Sequence, residues 1–185
     1  MDGVAHLDSI FETLKRFIAA KPEVLRAAAL WTSFTWFIED VRVAPLAIIT
    51  SPEKRCGKTL LSTLMSRLCR DPLLASNISP SALFRSIEKW KPTLILDEAD
   101  TFLRENEDLR GLINSGHTRN TAFVIRCTRD NHEPTSFNTF GAKLLAGIGN
   151  LPETIMDRAV VLRLRRKKQD ENCLLYTSPS PRDNR

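Results

Sequence analysis

Glycine is scarce in this chain, with seven in 185 residues, and histidine scarcer still at three. That excludes collagen-like and glycine-rich low-complexity classes. The four cysteines, Cys56, Cys69, Cys127 and Cys173, share no metal-ligand spacing. A structural zinc site and a disulfide scaffold are therefore not expected, and a reducing, cytoplasmic setting is. Long hydrophobic runs are missing too. The apolar stretch at 27–38 is broken by Thr32, Ser33 and Thr35 and is too short to span a membrane, and the start does not read as a signal peptide. No internal repeat is visible. What is present is a 42% hydrophobic composition, enough for one α/β domain with a sizeable core, and a formal charge of +5. That charge permits contact with an anionic polymer without requiring it.

Apolar residues at 7, 10, 11, 14, 17 and 18 give a helical period over 7–20. Pro22 suits the first position of a second helix running to about Glu39. Its Trp31, Phe34, Trp36 and Phe37 read either as core or as a base-stacking cluster. A buried strand is expected at 46–50, a helix at 59–70 with Leu60, Leu61, Leu64, Met65 and Leu68 inward, a short strand near Ile78, and a helix capped by Ser79-Pro80. Further strands are expected at 93–96, 121–127, 143–148 and 159–164, with 135–140 as an antiparallel hairpin partner or an extended loop and a helix at 106–115 stopped by Gly116. Strands alternating with helices predict an α/β fold with a mainly parallel sheet covered on both faces. Residues 1–44 read as a helical lead-in, 45–171 as the core, and 172–185 as a tail. From Cys173 onward the tail resembles translated sequencing-adapter read-through, although a native disordered tail would also be rich in Ser and Pro.

The strongest local signal is Ser51-Pro-Glu-Lys-Arg-Cys-Gly-Lys-Thr59, between an apolar strand and an amphipathic helix. It keeps the end of the Gly-x-x-x-x-Gly-Lys-Ser/Thr phosphate loop but has Pro52 in place of the first glycine. Such a loop turns backbone N–H groups of Ser51, Pro52's successors Glu53, Lys54, Arg55 and Cys56, and Gly57 to Leu60 toward phosphate. Lys58 would supply charge and Thr59 a hydroxyl for Mg²⁺. Proline lacks the donor and the positive φ of glycine, and the loop still closes if the strained geometry lies between Glu53 and Gly57. A second signal is the apolar 94–96 stretch ending in Asp97-Glu98, the form of a Walker B segment. Asp97 would hold Mg²⁺ and Glu98 would orient or deprotonate water; the alternative is that the acids cap the next helix. Asp100 reads either as a residue supporting that site from behind or as such a cap.

Downstream, Asn150 follows the 143–148 strand and is either a γ-phosphate sensor or a turn residue. Arg158 is either a finger aimed at a neighbouring subunit's nucleotide or the partner of Asp157 or Glu153. His117 reads as a helix-end residue. Arg163, Arg165, Arg166, Lys167 and Lys168 form a basic run, read as a DNA contact or as a charged surface.

These motifs, with Asn77-Ile-Ser-Pro-Ser-Ala-Leu-Phe-Arg85, Leu109-Arg-Gly-Leu-Ile-Asn-Ser-Gly-His117 and Leu151-Pro-Glu-Thr-Ile-Met-Asp-Arg158, resemble a family of uncharacterised bacterial and phage P-loop ATPases with an AAA-like core. The resemblance implies a P-loop three-layer sandwich, here without the helical lid, and makes Ser-Pro-Glu-Lys the family's own loop opening. It implies ATP and Mg²⁺ as cofactors, Asn150 as sensor, Arg158 as inter-subunit arginine, a homo-oligomeric ring in the full-length parent, and primase or helicase modules as partners in mobile-element DNA replication. A P-loop kinase, or a nucleic-acid-binding or protein-interaction module with a vestigial nucleotide site, are the alternatives.

Overall fold

The computed structural model describes residues 2–76, 78–127, 133–149, 151–168, 171, 173 and 174, without the side chains of 102 and 105. It is a mixed α/β fold with a five-stranded parallel sheet flanked by helices. Chain order is α1 (Gly3–Phe17), α2 (Pro22–Phe34), β1 (Leu46–Ser51), α3 (Lys58–Leu68), β2 (Pro72–Ala75), α4 (Pro80–Trp90), β3 (Thr93–Leu96), α5 (Ala99–Glu105), α6 (Glu107–Ser115), β4 (Phe123–Cys127), β5 (Pro134–Asn138), β6 (Lys143–Ile148), α7 (Glu153–Met156) and β7 (Ala159–Arg163). In space the sheet runs β2-β3-β6-β1-β7, with β4 and β5 as a separate antiparallel pair. Parallel neighbours need long crossovers, which is why helices separate the strands in sequence.

Side-chain alternation along each strand sends alternate residues to opposite layers. In β1, Ala47 and Ile49 join Leu144, Ala146 and Leu162 under α1, α2 and α3. Leu46 and Ile48 join Leu94, Leu96 and Leu145 under α4, α5 and α6. Every residue of β1 is buried, and its first four, Leu46 to Ile49, form a continuous apolar run. Burying both faces at roughly 25 cal/mol per Å² of apolar surface is the main stabilising contribution. Among the described residues no helix is long and apolar enough to cross a membrane.

Several sequence expectations shift. The first helix begins four residues earlier than its apolar period, because the Asp2 side chain accepts a hydrogen bond from the Val4 N–H and caps it. The second helix ends at Phe34 in a 3-10 turn, Thr35–Phe37. That change of period divides the aromatic cluster: Trp31 is buried and donates to the Pro45 carbonyl at 2.8 Å, whereas Trp36 and Phe37 are 57% and 61% exposed. The short strand lies at Pro72–Ala75, not at Ile78, since Pro72 sits at the first position of an edge strand, where its missing N–H is tolerated. Two short helices, α5 and α7, escaped the periodicity because seven and four residues carry too little pattern. The antiparallel hairpin is present and packs on α4 through Phe84 and Phe137, whose ring centroids are 4.6 Å apart. Of the expected tail only Cys173 and Leu174 are among the described residues, so that reading lies almost wholly outside them.

Gly116 follows α6 as expected, but not for the expected reason. Its φ of −81° lies outside the left-handed region. A Cβ there would meet Lys143 Nζ at 2.1 Å and the Thr139 carbonyl oxygen at 2.3 Å. The glycine is needed for close approach. Gly116→Ala is therefore expected to lower the unfolding free energy by about 2–3 kcal/mol, the range of core overpacking, measured by urea titration. A loss below about 0.5 kcal/mol would contradict it.

Candidate functional site

The turn between β1 and α3 carries the candidate loop. β1 delivers Ser51, buried, to the carboxyl edge of the sheet. Pro52 to Arg55 are exposed, and the left-handed residues are Arg55, with φ 63°, and Gly57, with φ 84°. The chain thus reverses downstream of Pro52, which keeps an ordinary negative φ. Glycine adopts that geometry without steric cost and arginine does so with strain. Gly57 is the N-cap of α3 and supplies no side-chain cap, so the first-turn N–H groups keep their partial positive charge for a ligand.

Inside the loop, Lys58 Nζ donates to Ser51 Oγ at 2.9 Å and to the Glu53 carbonyl at 3.4 Å. Ser51 Oγ donates to that same carbonyl at 2.6 Å. The Cys56 thiol is buried and donates to the Lys54 carbonyl at 3.8 Å. Leu60 turns its side chain to the core beneath α1 and α2, leaving only its backbone for the loop.

Across the sheet edge, β3 ends at Asp97 and Glu98. Thr59 Oγ1 donates to Asp97 Oδ2 at 3.2 Å, and the Glu98 N–H donates to Asp97 Oδ1 at 3.0 Å. Glu98 is exposed and takes a φ of 55°, rare for a residue with a side chain. Between the two lies β6, whose Gly149 N–H donates to the Ser51 carbonyl at 3.1 Å and ties its end to the loop. Asn150, the next residue, lies outside the described residues. A cleft of about 480 Å³ is lined by Lys54, Arg55, Lys58 and Thr59 from the loop and helix start and by Asp97, Glu98, Asp100 and Thr101 from the segment after β3. Cations and carboxylates lining one cleft suit an anion that carries its own divalent counter-ion.

Asp100, for which the sequence left a cap and a site role open, sits in the first turn of α5 and lines this cleft. Its Oδ1 lies 2.9 Å from where a Cβ on Gly147 would stand. Among the described residues no group of three or more His, Cys, Asp or Glu could hold a metal ion. Mg²⁺ is commonly held by one or two protein oxygens together with substrate phosphates. Thr59 Oγ1 and Asp97 are hard oxygen donors already in contact, so the residues present suit that ion.

Arg158 is elsewhere. Its carbonyl accepts from the Leu46 N–H at the amino edge of β1, so a six-residue strand, roughly 20 Å, separates it from the loop. Its guanidinium donates to the Asn114 carbonyl at 2.9 Å, rather than pairing with Asp157 or Glu153, and faces a cavity of about 350 Å³ with His117, Thr118 and Thr121. Burial, and then the charges of Arg158 and Lys143, lower the pKa of His117 below its usual value. The basic run divides as well. Arg163 is exposed beside Pro52 in a cavity of about 260 Å³, Arg165 forks onto the Glu171 carboxylate, Arg166 pairs with Glu53 at 2.9 Å, and Lys167 and Lys168 are exposed. The Arg165 guanidinium holds the Glu171 carboxyl down to about 2.

Lys143 was not singled out by sequence. It is 1% exposed, and its ammonium donates to the carbonyls of Gly116, Thr139 and Gly141 at 3.4, 2.9 and 3.1 Å. The role is structural, joining the end of α6 to the start of β6. No protein-family model matches the chain and no curated protein matches it, so the family resemblance rests on the motifs alone.

Proposed function

We propose that the chain binds a nucleoside triphosphate with Mg²⁺ at the 51–60 loop and hydrolyses it. The observation that carries this reading is the 3.2 Å contact between Thr59 Oγ1 and Asp97 Oδ2. It brings together residues 38 positions apart from two βα units. A helix-capping role for the two acids would not require that meeting.

In this reading the loop's N–H groups and Lys58 hold the phosphates, with Lys54 and Arg55 adding charge. Thr59 and Asp97 would hold Mg²⁺, which when bound neutralises charge on the transferring phosphoryl. Glu98, exposed at the cleft, orients water for attack and accepts its proton. Its left-handed backbone is strain at the position where chemistry is assigned. The AAA-like core is part of the same proposal. The interposed β6 supports it, because a sensor at Asn150 must be carried to the crevice between the loop and the acids. Arg158, at the opposite edge of the sheet, acts only on the nucleotide of a second copy, so phosphate release per copy should rise with protein concentration. Stimulation of that release by DNA through Arg163, Lys167 and Lys168 follows from the resemblance and from their exposure.

The test is Mg·ATP affinity by calorimetry alongside phosphate release, for the wild type and Glu98→Gln. Removing the base while keeping the side-chain volume is expected to cut turnover about 100-fold with affinity within about threefold. Equal turnover in the two proteins would remove Glu98 from the mechanism, and a chain that binds no Mg·ATP would end the reading.

A further inference from the structure

A glutamate in a phosphate loop is an electrostatic problem, and here it is Glu53. Its carbonyl already takes the Lys58 ammonium and the Ser51 hydroxyl. Its carboxylate, left to itself, would repel a bound polyphosphate from within the cradle. The structure turns it elsewhere. Glu53 is absent from the lining of the cleft that holds Lys54, Arg55 and Lys58, and its Oε1 meets Arg166 Nε at 2.9 Å. Arg166 comes from the segment after β7, more than 100 residues downstream. The neighbouring Arg165 does not perform this task, because its guanidinium is forked onto Glu171.

We propose that Arg166 is a positioning residue of the phosphate site. It neutralises Glu53 and holds that carboxylate on the β7 side of the loop, so the segment after the last strand completes the binding site. The proposal rests on the nucleotide reading above and assigns one arginine of the basic run to the loop rather than to an outside partner. Both side chains are largely exposed, at 60% for Arg166 and 49% for Glu53, so the pair adds little to fold stability. Its effect falls on the charge felt by an incoming anion. Arg166→Ala leaves an uncompensated negative charge on the loop. Adding Glu53→Gln removes that charge and makes the arginine unnecessary.

The experiment measures Mg·ATP affinity of the full chain by calorimetry for the wild type, Arg166→Ala, Arg166→Lys, Glu53→Gln, Glu53→Gln/Arg166→Ala and Lys58→Ala. Arg166→Ala should weaken binding about fivefold at 50 mM salt, with the loss shrinking at 0.5 M as the interaction is screened. Glu53→Gln should bind at least as tightly as the wild type. The double variant should return to within about twofold of it, and Arg166→Lys should retain most of the affinity. A purely structural contact predicts the opposite for the double variant, which would stay as weak as Arg166→Ala or weaker. That result, or wild-type affinity in Arg166→Ala while Lys58→Ala loses binding, overturns the proposal and leaves the nucleotide reading standing. A wild type that binds no Mg·ATP overturns the nucleotide reading itself.

Discussion

Lys58→Ala is expected to weaken Mg·ATP binding roughly 30- to 150-fold without unfolding the chain. The magnitude is that of one charge-assisted hydrogen bond to a phosphoryl oxygen, about 2–3 kcal/mol, at 1.4 kcal/mol per factor of ten. In the structure Lys58 Nζ is satisfied by Ser51 Oγ and the Glu53 carbonyl. A ligand must draw it from those partners, so part of the gross interaction is spent on the exchange. The fold is spared because the side chain is only half-buried and Ser51 Oγ keeps its own bond to Glu53. Calorimetry measures the affinity, and the thermal unfolding midpoint of the ligand-free chain, expected within a few degrees of the wild type, controls for folding. Wild-type affinity in the variant would mean that the loop does not hold phosphate through this lysine.

Lys143→Met should have the largest effect on stability, about 2–4 kcal/mol in urea unfolding near pH 7. Methionine fills the volume but offers no donor. The carbonyls of Gly116, Thr139 and Gly141 would then be left without the ammonium that now reaches all three from a fully buried position. The cost should also depend on pH, in a direction the structure determines. Burial pulls the pKa of Lys143 down from 10.5 to about 7. Between about pH 7 and 10.5 the unfolded chain therefore holds a proton there that the folded chain has released. Stability rises with pH wherever the unfolded state binds more protons, by up to about 1.4 kcal/mol per unit. The difference between wild type and Lys143→Met should thus grow from pH 7 to pH 9.5. A difference that stays flat or narrows over that window would show that Lys143 keeps its proton through it.

The two predictions rest on features that differ in how far the chain could be read in one dimension. Lys58 belongs to a contiguous motif, and its neighbours in sequence are its neighbours in space. The strands at 93–96 and 143–148 carried enough apolar pattern to be placed at their observed ends. Lys143 stands one residue after Ala142 at the head of an apolar run, where nothing marks it as buried, because its three partners come from the end of α6 and from the link between β5 and β6. Asp100 and Trp36 stayed open for a related reason. A cap and a cleft wall look alike in a short acidic stretch, and one change from α to 3-10 period moved Trp36 and Phe37 outward.

The alternation of strands and helices was legible along the chain, because short apolar runs bounded by turn residues alternate with stretches of helical period. The loop and the acidic strand end were legible as separate pieces, and closing the loop behind Pro52 left the strained geometry to residues between Glu53 and Gly57, where Arg55 and Gly57 take positive φ. What those pieces are to one another is set by packing across the sheet. The order β2-β3-β6-β1-β7 places Thr59 against Asp97, inserts β6 between them, sends Arg158 to the far edge and joins Arg166 to Glu53. Strand order is set by which apolar faces pack together across crossovers, and that packing energy has no local signature along the chain.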